Sequence, residues 1–325
     1  MTTIRRDDLA ELCRAALLRV GVDERTAQVL ADATVGAELV GNPAVGVAHL
    51  FDYLAGYREG RIARDSRPLV RRVAPAVIDV DADGGLAQTA FAEAFDELRG
   101  AIRDAGMAAL WVKNSFTCGE LGYYPRRLAE QGFIALASAN SPALMSLGGA
   151  PSPILGTNPL AYAIPRPGML PVVIDQASSA TAFVNIRRAA AAGETIPSGW
   201  ALGPDGEPTQ DAAAALKGTL LPFGSHRGGN IALLVEILAT LSGASFSLDA
   251  APFDSGTASP GIGVFLLGID PARFGDSIQR LARLFKRLHD DHQIRLPALE
   301  ITALPHSADV DPDILQRLRE AAGAT

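Results

Sequence analysis

Apolar residues near the start of the chain recur at the three- and four-residue spacing of amphipathic helices. The pattern predicts helices over residues 5–20 and 22–38, joined by a turn at Gly21. The same spacing predicts further helices over Val45–Tyr57, Ala87–Arg103, the apolar run that ends at Leu241, Ser277–His289 and Asp311–Ala321. Helices are therefore expected at both ends of the chain.

Short apolar runs in the middle of the chain predict β-strands. They cover Val77–Val80, Ala108–Val112, Phe133–Ala139, Ala161–Ile164, Val172–Ile174 and Val264–Ile269. Most are separated by Gly, Pro and Asn, whereas a doubly wound sheet needs a helical crossover after nearly every strand. No Gly-x-Gly-x-x-Gly stands between a strand and a helix. Any dinucleotide would therefore bind on a fold other than the Rossmann fold.

A turn rich in Gly opens the apolar helix in Leu220–Leu241, LLPFGSHRGGNIALLVEILATL. Free backbone N–H groups and the positive end of the helix dipole would attract an anion there, beside His226 and Arg227. The alternative is that Gly permits close packing and that the two basic side chains are simply solvated. The local pattern leaves both interpretations open.

Composition narrows the range of ligands. The chain has 325 residues, 48% hydrophobic, and a formal net charge of −7, which argues against a nucleic-acid or anionic-membrane surface and favours a small-molecule substrate. Two cysteines are too few for a disulfide framework, and the N-terminus lacks the apolar core of a signal peptide. We expect a cytoplasmic protein with no metal site, since no Cys, His or acidic cluster has ligand spacing.

Several segments, taken in order, resemble one family. They are GTNPLAYAIP (156–165), VVIDQASSA (172–180), IPSGWALGPDGEPT (196–209), LLPFGSHRGG (220–229) and SGTASPGIGVFLLGID (255–270). They resemble the malate/L-lactate dehydrogenase-type family of NAD(P)-dependent oxidoreductases, whose fold is not a Rossmann fold. The likeness is closest to its Δ1-piperideine-2-carboxylate/Δ1-pyrroline-2-carboxylate reductase branch.

The resemblance implies an α/β fold in two domains and a homodimer. One domain would be helical, built from both chain ends (1–112 with 271–325), and would bind substrate and form the dimer. The other, 113–270, would be a central, largely antiparallel sheet domain that holds NADPH or NADH. The resemblance places the cofactor against Ser115, Thr117, Gly119, Leu121, Thr157, Asp175, Ser178, Ser179, His226, Arg227, Gly228 and Thr257. Asp175 and the two serines could equally cap a helix.

The catalytic positions depart from the family pattern. Family members carry Asp-Ser-His-Gly at the start of the third helix, with an Arg four residues after the His. The acid, hydroxyl, imidazole and guanidinium positions are here Pro43, Ala44, Val45 and His49. A second family His is Thr117, and three further positions, a Gly, an acid and a phosphate-loop Lys, are Val184, Asn185 and Arg227. The inherited proton donor is therefore absent.

Two other side chains could supply the chemistry. Val45, His49 and Tyr53 are four residues apart in turn and share one helix face. His49 is the first candidate for the acid, base or carboxylate ligand, and Tyr53 is the second. A purely structural His49 is the alternative, and Cys118 is a remote candidate for a nucleophile.

These observations predict an NAD(P)H-dependent reductase of a cyclic imino acid or 2-keto acid. The alternatives are a lyase, isomerase or cyclase on the same scaffold, or a catalytically dead partner subunit. The lyase, isomerase or cyclase would have lost nicotinamide chemistry.

Overall fold

The computed structural model describes residues 1–297 and 302–324. The α-helices are α1 Arg6–Arg19, α2 Glu24–Leu39, α3 Val47–Glu59, α4 Ala87–Ala105, α5 Tyr123–Ala129, α6 Phe183–Ala192, α7 Ala212–Ala215, α8 His226–Thr240, α9 Ser277–Asp290 and α10 Pro312–Ala322. The strands are β1 Thr2–Arg5, β2 Leu69–Ala74, β3 Val77–Asp81, β4 Met107–Ser115, β5 Ile134–Ala139, β6 Leu160–Ile164, β7 Val172–Gln176, β8 Ala201–Leu202, β9 Pro208–Thr209, β10 Thr219–Leu220, β11 Ile262–Ile269 and β12 Ser307–Val310. None of the helices in these two ranges is long and apolar enough to cross a membrane.

A seven-stranded sheet forms the centre of the molecule, in the order β2-β3-β4-β11-β5-β6-β7. β3 and β4 run parallel, because α4 supplies the crossover that a parallel pair requires. The other neighbouring pairs are antiparallel. The prediction of a largely antiparallel sheet without a doubly wound arrangement is confirmed.

Helices pack on both faces of this sheet. Leu110 and Leu266 lie in a buried core with Phe91 and Leu98 of α4. Because successive strand residues face opposite sides, Trp111 turns to the other face, where its Nε1 donates to Leu238 O of α8 at 2.8 Å. At the other end of α8, the Phe223 N–H donates to Ser178 O at 3.0 Å and holds the loop before α8 beside the loop after β7.

The two ends of the chain meet in a second core. β1 pairs antiparallel with β12, and Leu9, Leu17, Leu50 and Leu315 are buried together in a cluster drawn from α1, α3 and α10. The predicted helical part from both chain ends is confirmed.

Several local features differ from the sequence prediction. β2 is missing from the predicted strands, because LVRRVA does not alternate apolar and polar residues. The short helix α5 was not predicted. α3 begins at Val47 rather than Val45, because Pro43–Val45 forms a 3₁₀ turn. Glu38 Oε1 then accepts from the Val47 N–H at 2.7 Å and caps α3. The predicted boundary after residue 112 falls inside β4.

Candidate active site

His49 stands in a hydrogen-bonded group on the inner side of α3. Its Nδ1 lies 2.7 Å from Asp52 Oδ2, one helical turn further on. Its Nε2 lies 3.2 Å from Thr117 Oγ1, in the loop after β4. The side chain is 12% exposed, and its ring packs edge-on against Tyr53 and Phe253. His49 therefore joins α3 to the predicted cofactor loop.

Tyr53 lies deeper in the same group. Its hydroxyl accepts from Gln88 Nε2 of α4 at 2.9 Å and lies 2.9 Å from Thr117 Oγ1. Burial raises the pKa of this phenol well above its usual range. Tyr53 therefore stays protonated at physiological pH. The structure brings His49, Tyr53 and Thr117 together; the sequence predicted the shared helix face of His49 and Tyr53 but not their contact with Thr117.

A small cavity lies beside Val45. It is lined by Leu30, Ala33, Thr34, Val45, Tyr53, Gln88, Cys118, Gly119, Glu120 and Tyr123. Gly119 has a φ of +63°, and a Cβ there would lie 2.7 Å from Gln88 Nε2 and 3.2 Å from Tyr53 Oη. Any larger residue at position 119 would therefore collide with the side chains of Gln88 and Tyr53.

A buried ion pair forms the wall between this cavity and a larger one. Arg126 binds Glu120 in a bidentate manner, at 2.9 Å and 2.6 Å, and both residues are about 95% buried (5% and 6% exposed). The larger cavity, of about 400 Å³, extends from this pair along β7 to the end of α2 at Leu39. Its walls are mostly apolar.

Asp175 of β7 lies at the larger cavity. Its Oδ2 accepts from the Gly122 N–H at 2.7 Å. Although the residue as a whole is solvent-exposed, its carboxyl lies in a recess, and desolvation there raises its pKa to about 6. Asp175 does not cap the helix that follows it in the chain, since α6 begins after Ala182.

The predicted cofactor residues after β7 lie together, but their side chains are already engaged. Ser178 N–H donates to Thr157 O at 2.8 Å, and its hydroxyl donates to Asn158 O at 2.8 Å. Ser179 Oγ donates to Thr181 O at 2.7 Å. A ligand here would meet Thr157 and the exposed side of the loop rather than the two serine hydroxyls.

The turn before α8 differs from the expected form. The N–H groups of Arg227 and Gly228 donate to Gly224 O and Phe223 O, at 3.3 Å and 2.9 Å. The prediction of free backbone N–H groups is therefore wrong at these two residues, because the turn folds back on itself. A Cβ on Gly228 would lie 2.3 Å from Phe223 O, which explains the glycine. His226 and Arg227 are exposed, so an anion would contact their side chains.

Three other predicted cofactor residues, Ser115, Leu121 and Thr257, differ in how deeply they are buried. Ser115 is fully buried and its Oγ donates to Ile262 O at 3.1 Å, which ties β4 to β11. Leu121 is buried in the sheet core, and Thr257 lies in an exposed loop. Cys118 is unsuited to nucleophilic attack, because burial raises the pKa of its thiol to about 12.

Sequence reasoning missed Asp52, Gln88 and the Glu120–Arg126 pair. Asp52 could have been found, since an acid three residues after a helical His reaches its ring. Gln88 gave no signal, because its contact with Tyr53 joins residues 35 apart in the chain. At the position where the family carries an acid, Asn185 Nδ2 bonds Thr181 Oγ1 of its own turn at 3.0 Å.

Comparison with known proteins identifies the class. The family model described as malate/L-lactate dehydrogenase matches residues 4–298. The chain belongs to the malate/L-lactate dehydrogenase family, and the resemblance predicted from its sequence segments is confirmed.

Individual relatives are similar over most of their length. The chain is 38% identical over 296 residues to a (2R)-3-sulfolactate dehydrogenase (NADP(+)) of Chromohalobacter salexigens, covering 90% of this chain and 89% of the relative. It is 35% identical to a Δ1-pyrroline-2-carboxylate/Δ1-piperideine-2-carboxylate reductase of Pseudomonas syringae pv. tomato, covering 99% and 96%. The crystal structure of Δ1-piperideine-2-carboxylate reductase from P. syringae pv. tomato matches with a TM-score of 0.92 at 34% identity, covering 99% of this chain and 100% of that one.

Proposed function

We propose that this protein is an NAD(P)H-dependent reductase of a small carboxylate substrate, a cyclic imino acid or a 2-keto acid. The observation that carries the proposal is the position of Thr117. It belongs to the predicted cofactor loop and contacts both His49 and Tyr53, the two predicted acids. Relatives named as reductases of cyclic imino acids and as a sulfolactate dehydrogenase support the same substrate class.

The residues present suit a nicotinamide dinucleotide. Exposed His226 and Arg227 at the start of α8 would bind its phosphates, and Arg227 offers a bidentate fork. The Asp175 carboxyl at the 400 Å³ cavity would offer the cofactor a hydrogen-bond acceptor. Thr157, Thr117, Gly119 and Thr257 remain predicted contacts. The bound cofactor would supply the hydride that reduces the C=N or C=O carbon.

The chain's own residues would handle the proton. Asp52 accepts from His49 Nδ1–H, which fixes the imidazole with Nε2 towards Thr117. Thr117 Oγ1 in turn contacts Tyr53 Oη, so His49 and Tyr53 form one acid–base unit. An iminium substrate already carries its proton and makes a modest demand on this unit, whereas a keto substrate requires it fully.

Cofactor binding is the first test. Purified protein titrated with NADPH and with NADH should quench or shift cofactor fluorescence and raise the unfolding temperature. Binding of neither would refute the reductase and favour a lyase, isomerase, cyclase or inactive partner subunit.

Turnover is the second test. Δ1-Piperideine-2-carboxylate, Δ1-pyrroline-2-carboxylate and 2-keto acids would be assayed by loss of NAD(P)H absorbance, and 3-sulfolactate in the oxidative direction. His49→Ala should lower turnover of a 2-keto acid about a hundredfold, the scale of general acid catalysis. The exposed His292 supplies the matched control, His292→Ala, which should leave turnover unchanged. Unchanged turnover in His49→Ala would assign His49 a structural role.

We also propose that the protein is a homodimer, and we retain the two predicted domains and a cytoplasmic location as predictions. The outer face of α8 and the following loop expose six large apolar side chains, Leu233, Leu234, Ile237, Leu241, Phe246 and Leu248. Together they expose roughly 500–600 Å² of apolar surface, most of the roughly 800 Å² that each partner of a stable dimer buries. Ile237→Lys should yield a monomer in sedimentation velocity, with Leu69→Lys, exposed on β2, as the control. A monomeric unaltered protein would refute the dimer.

A further inference from the structure

The side-chain amide of Gln88 is buried beside Tyr53. Its Nε2 donates to Cys118 O at 3.1 Å and to Tyr53 Oη at 2.9 Å. A carbonyl oxygen can only accept, so the contact with Cys118 fixes which end of the amide is nitrogen. Within residues 1–297 and 302–324, the other end, Oε1, is buried and has no hydrogen-bond partner. Buried polar atoms of this kind are usually satisfied by a water molecule.

The cavity that Gln88 lines has room for one. Its volume is about 10 Å³, which corresponds to a single water molecule. Tyr53 and Gln88 supply polar atoms to its wall, and Val45 closes another side with an apolar group that can neither donate nor accept.

The chain of hydroxyl groups behind Tyr53 has a direction that depends on His49. These contacts have fixed distances, but their directions depend on the imidazole. A neutral imidazole with its proton on Nδ1, beside Asp52, can only accept at Nε2, so the Thr117 hydroxyl would donate to Nε2 and accept from Tyr53. When the imidazole is charged, Nε2 donates to Thr117, Thr117 donates to Tyr53, and the Tyr53 proton is released from that contact. Tyr53 Oη already accepts from Gln88, so its proton can then turn only towards another acceptor, and the cavity provides the space for one.

We propose that this cavity binds one water molecule between Gln88 Oε1 and Tyr53 Oη, and that this water gives the proton to the substrate. The proposal rests on the reductase function proposed above. Tyr53, Thr117 and His49 form the path that replaces the proton, and Gln88 positions the water. The groups that face His49 are Asp52 and Tyr53 of α3, Thr117 and Phe253.

The proton balance is complete. One O–H bond of the water breaks as an N–H bond forms on a neutral imine or an O–H bond forms on a keto group, while the substrate carbon would receive the hydride that the reduced cofactor supplies. The water regains a proton from Tyr53, Tyr53 from Thr117, and Thr117 from His49 Nε2. These transfers occur together, so no phenolate accumulates. The Asp52 side chain is 38% exposed, so solvent can reprotonate His49 from that side. Each turnover consumes one proton.

The water site is tested without cofactor. A high-resolution crystal structure of the cofactor-free protein should show an ordered water within hydrogen-bond distance of Gln88 Oε1 and Tyr53 Oη. Val45→Ile adds a methyl group to the cavity wall and should displace that water. Val73 of β2 is 60% exposed. The matched control Val73→Ile should leave the water in place. A dry cavity in the unaltered protein overturns the proposal.

Turnover tests the role of the water. Val45→Ile should lower kcat at least tenfold, while the Kd for NAD(P)H stays within about twofold and Val73→Ile behaves as the unaltered protein. Thr117→Val, which interrupts the path but not the water site, should keep the ordered water, slow turnover at least tenfold and enlarge the solvent isotope effect. This variant decides the question if Val45→Ile fails to fold. Full kcat in Thr117→Val, or in folded Val45→Ile, overturns the proposal. Failure of NAD(P)H to bind refutes the proposed function instead, whatever the crystal shows.

Discussion

The Glu120–Arg126 pair allows a quantitative prediction about the wall between the two cavities. Both side chains are almost completely buried, and two hydrogen bonds of 2.9 Å and 2.6 Å join them. Arg126→Met keeps the length of the side chain but leaves the Glu120 carboxylate buried without its partner. Breaking a buried pair in this way costs about 3–5 kcal/mol of unfolding free energy.

Removing both charges should cost much less. In the double variant Glu120→Leu/Arg126→Met, neither charge needs solvation, so the loss should fall to about 0–2 kcal/mol. The difference between the double variant and the sum of the single variants measures the coupling of the pair.

Urea unfolding at 25 °C, followed by circular dichroism, provides the free energies. The comparison requires that the slope of unfolding free energy against urea concentration be the same in all variants. Arg5 and Asp8 form an exposed pair that serves as the control, and Arg5→Met should leave stability unchanged. A loss below about 1 kcal/mol in Arg126→Met, or a double variant as unstable as the sum of the single variants, would contradict the assignment of a desolvated pair.

Two further predictions concern the predicted cofactor loops. The pKa of Asp175 is about 6 in the folded protein and about 4 in the unfolded chain. The folded protein therefore favours the protonated carboxyl, and the stability that this form gives is present below about pH 4 and is lost as the pH rises through about 6. Asp175→Asn should therefore be more stable than the unaltered protein at pH 8, by about 1 kcal/mol after allowance for its partial exposure, and should lose that advantage by about pH 4; equal unfolding temperatures at pH 8 would refute the shift. Gly228→Ala should cost about 1–3 kcal/mol in thermal unfolding, because its Cβ would lie 2.3 Å from Phe223 O. Gly229→Ala meets a flexible Leu147 side chain at 3.3 Å and serves as the tolerated control.

The spacing of apolar residues predicted most of the helices and strands, because an element that packs on one face needs apolar residues at that spacing. The helices at both chain ends and the central strands follow the expected spacing, since each buries one side against a core. β2 escaped prediction because it lies at the edge of the sheet and is largely exposed, so burial does not select its residues. The start of α3 was misplaced because its cap, Glu38, comes from a preceding helix and not from the local sequence.

The candidate site was predictable only where its residues are neighbours in the chain. His49 and Tyr53 share a helix face, and the spacing alone placed them together. Gln88 and Thr117 reach Tyr53 from other elements, and no local pattern records such a contact. The α8 turn shows the opposite error, since a sequence typical of free N–H groups folds into a turn that satisfies two of them.

The pairing of distant segments has a consequence for biosynthesis. Ser115 at the end of β4 bonds Ile262, 147 residues later, and Thr3 bonds Asp309, 306 residues later. β4 has no antiparallel partner at the centre of the sheet until β11 has left the ribosome. The N-terminal helices likewise cannot complete their core until α10 has been made. Contacts this far apart slow folding and expose unpaired strand edges while the chain is being made. We therefore expect the nascent chain to depend on chaperones until its last fifty residues emerge, and a fragment ending near residue 112 to aggregate rather than fold.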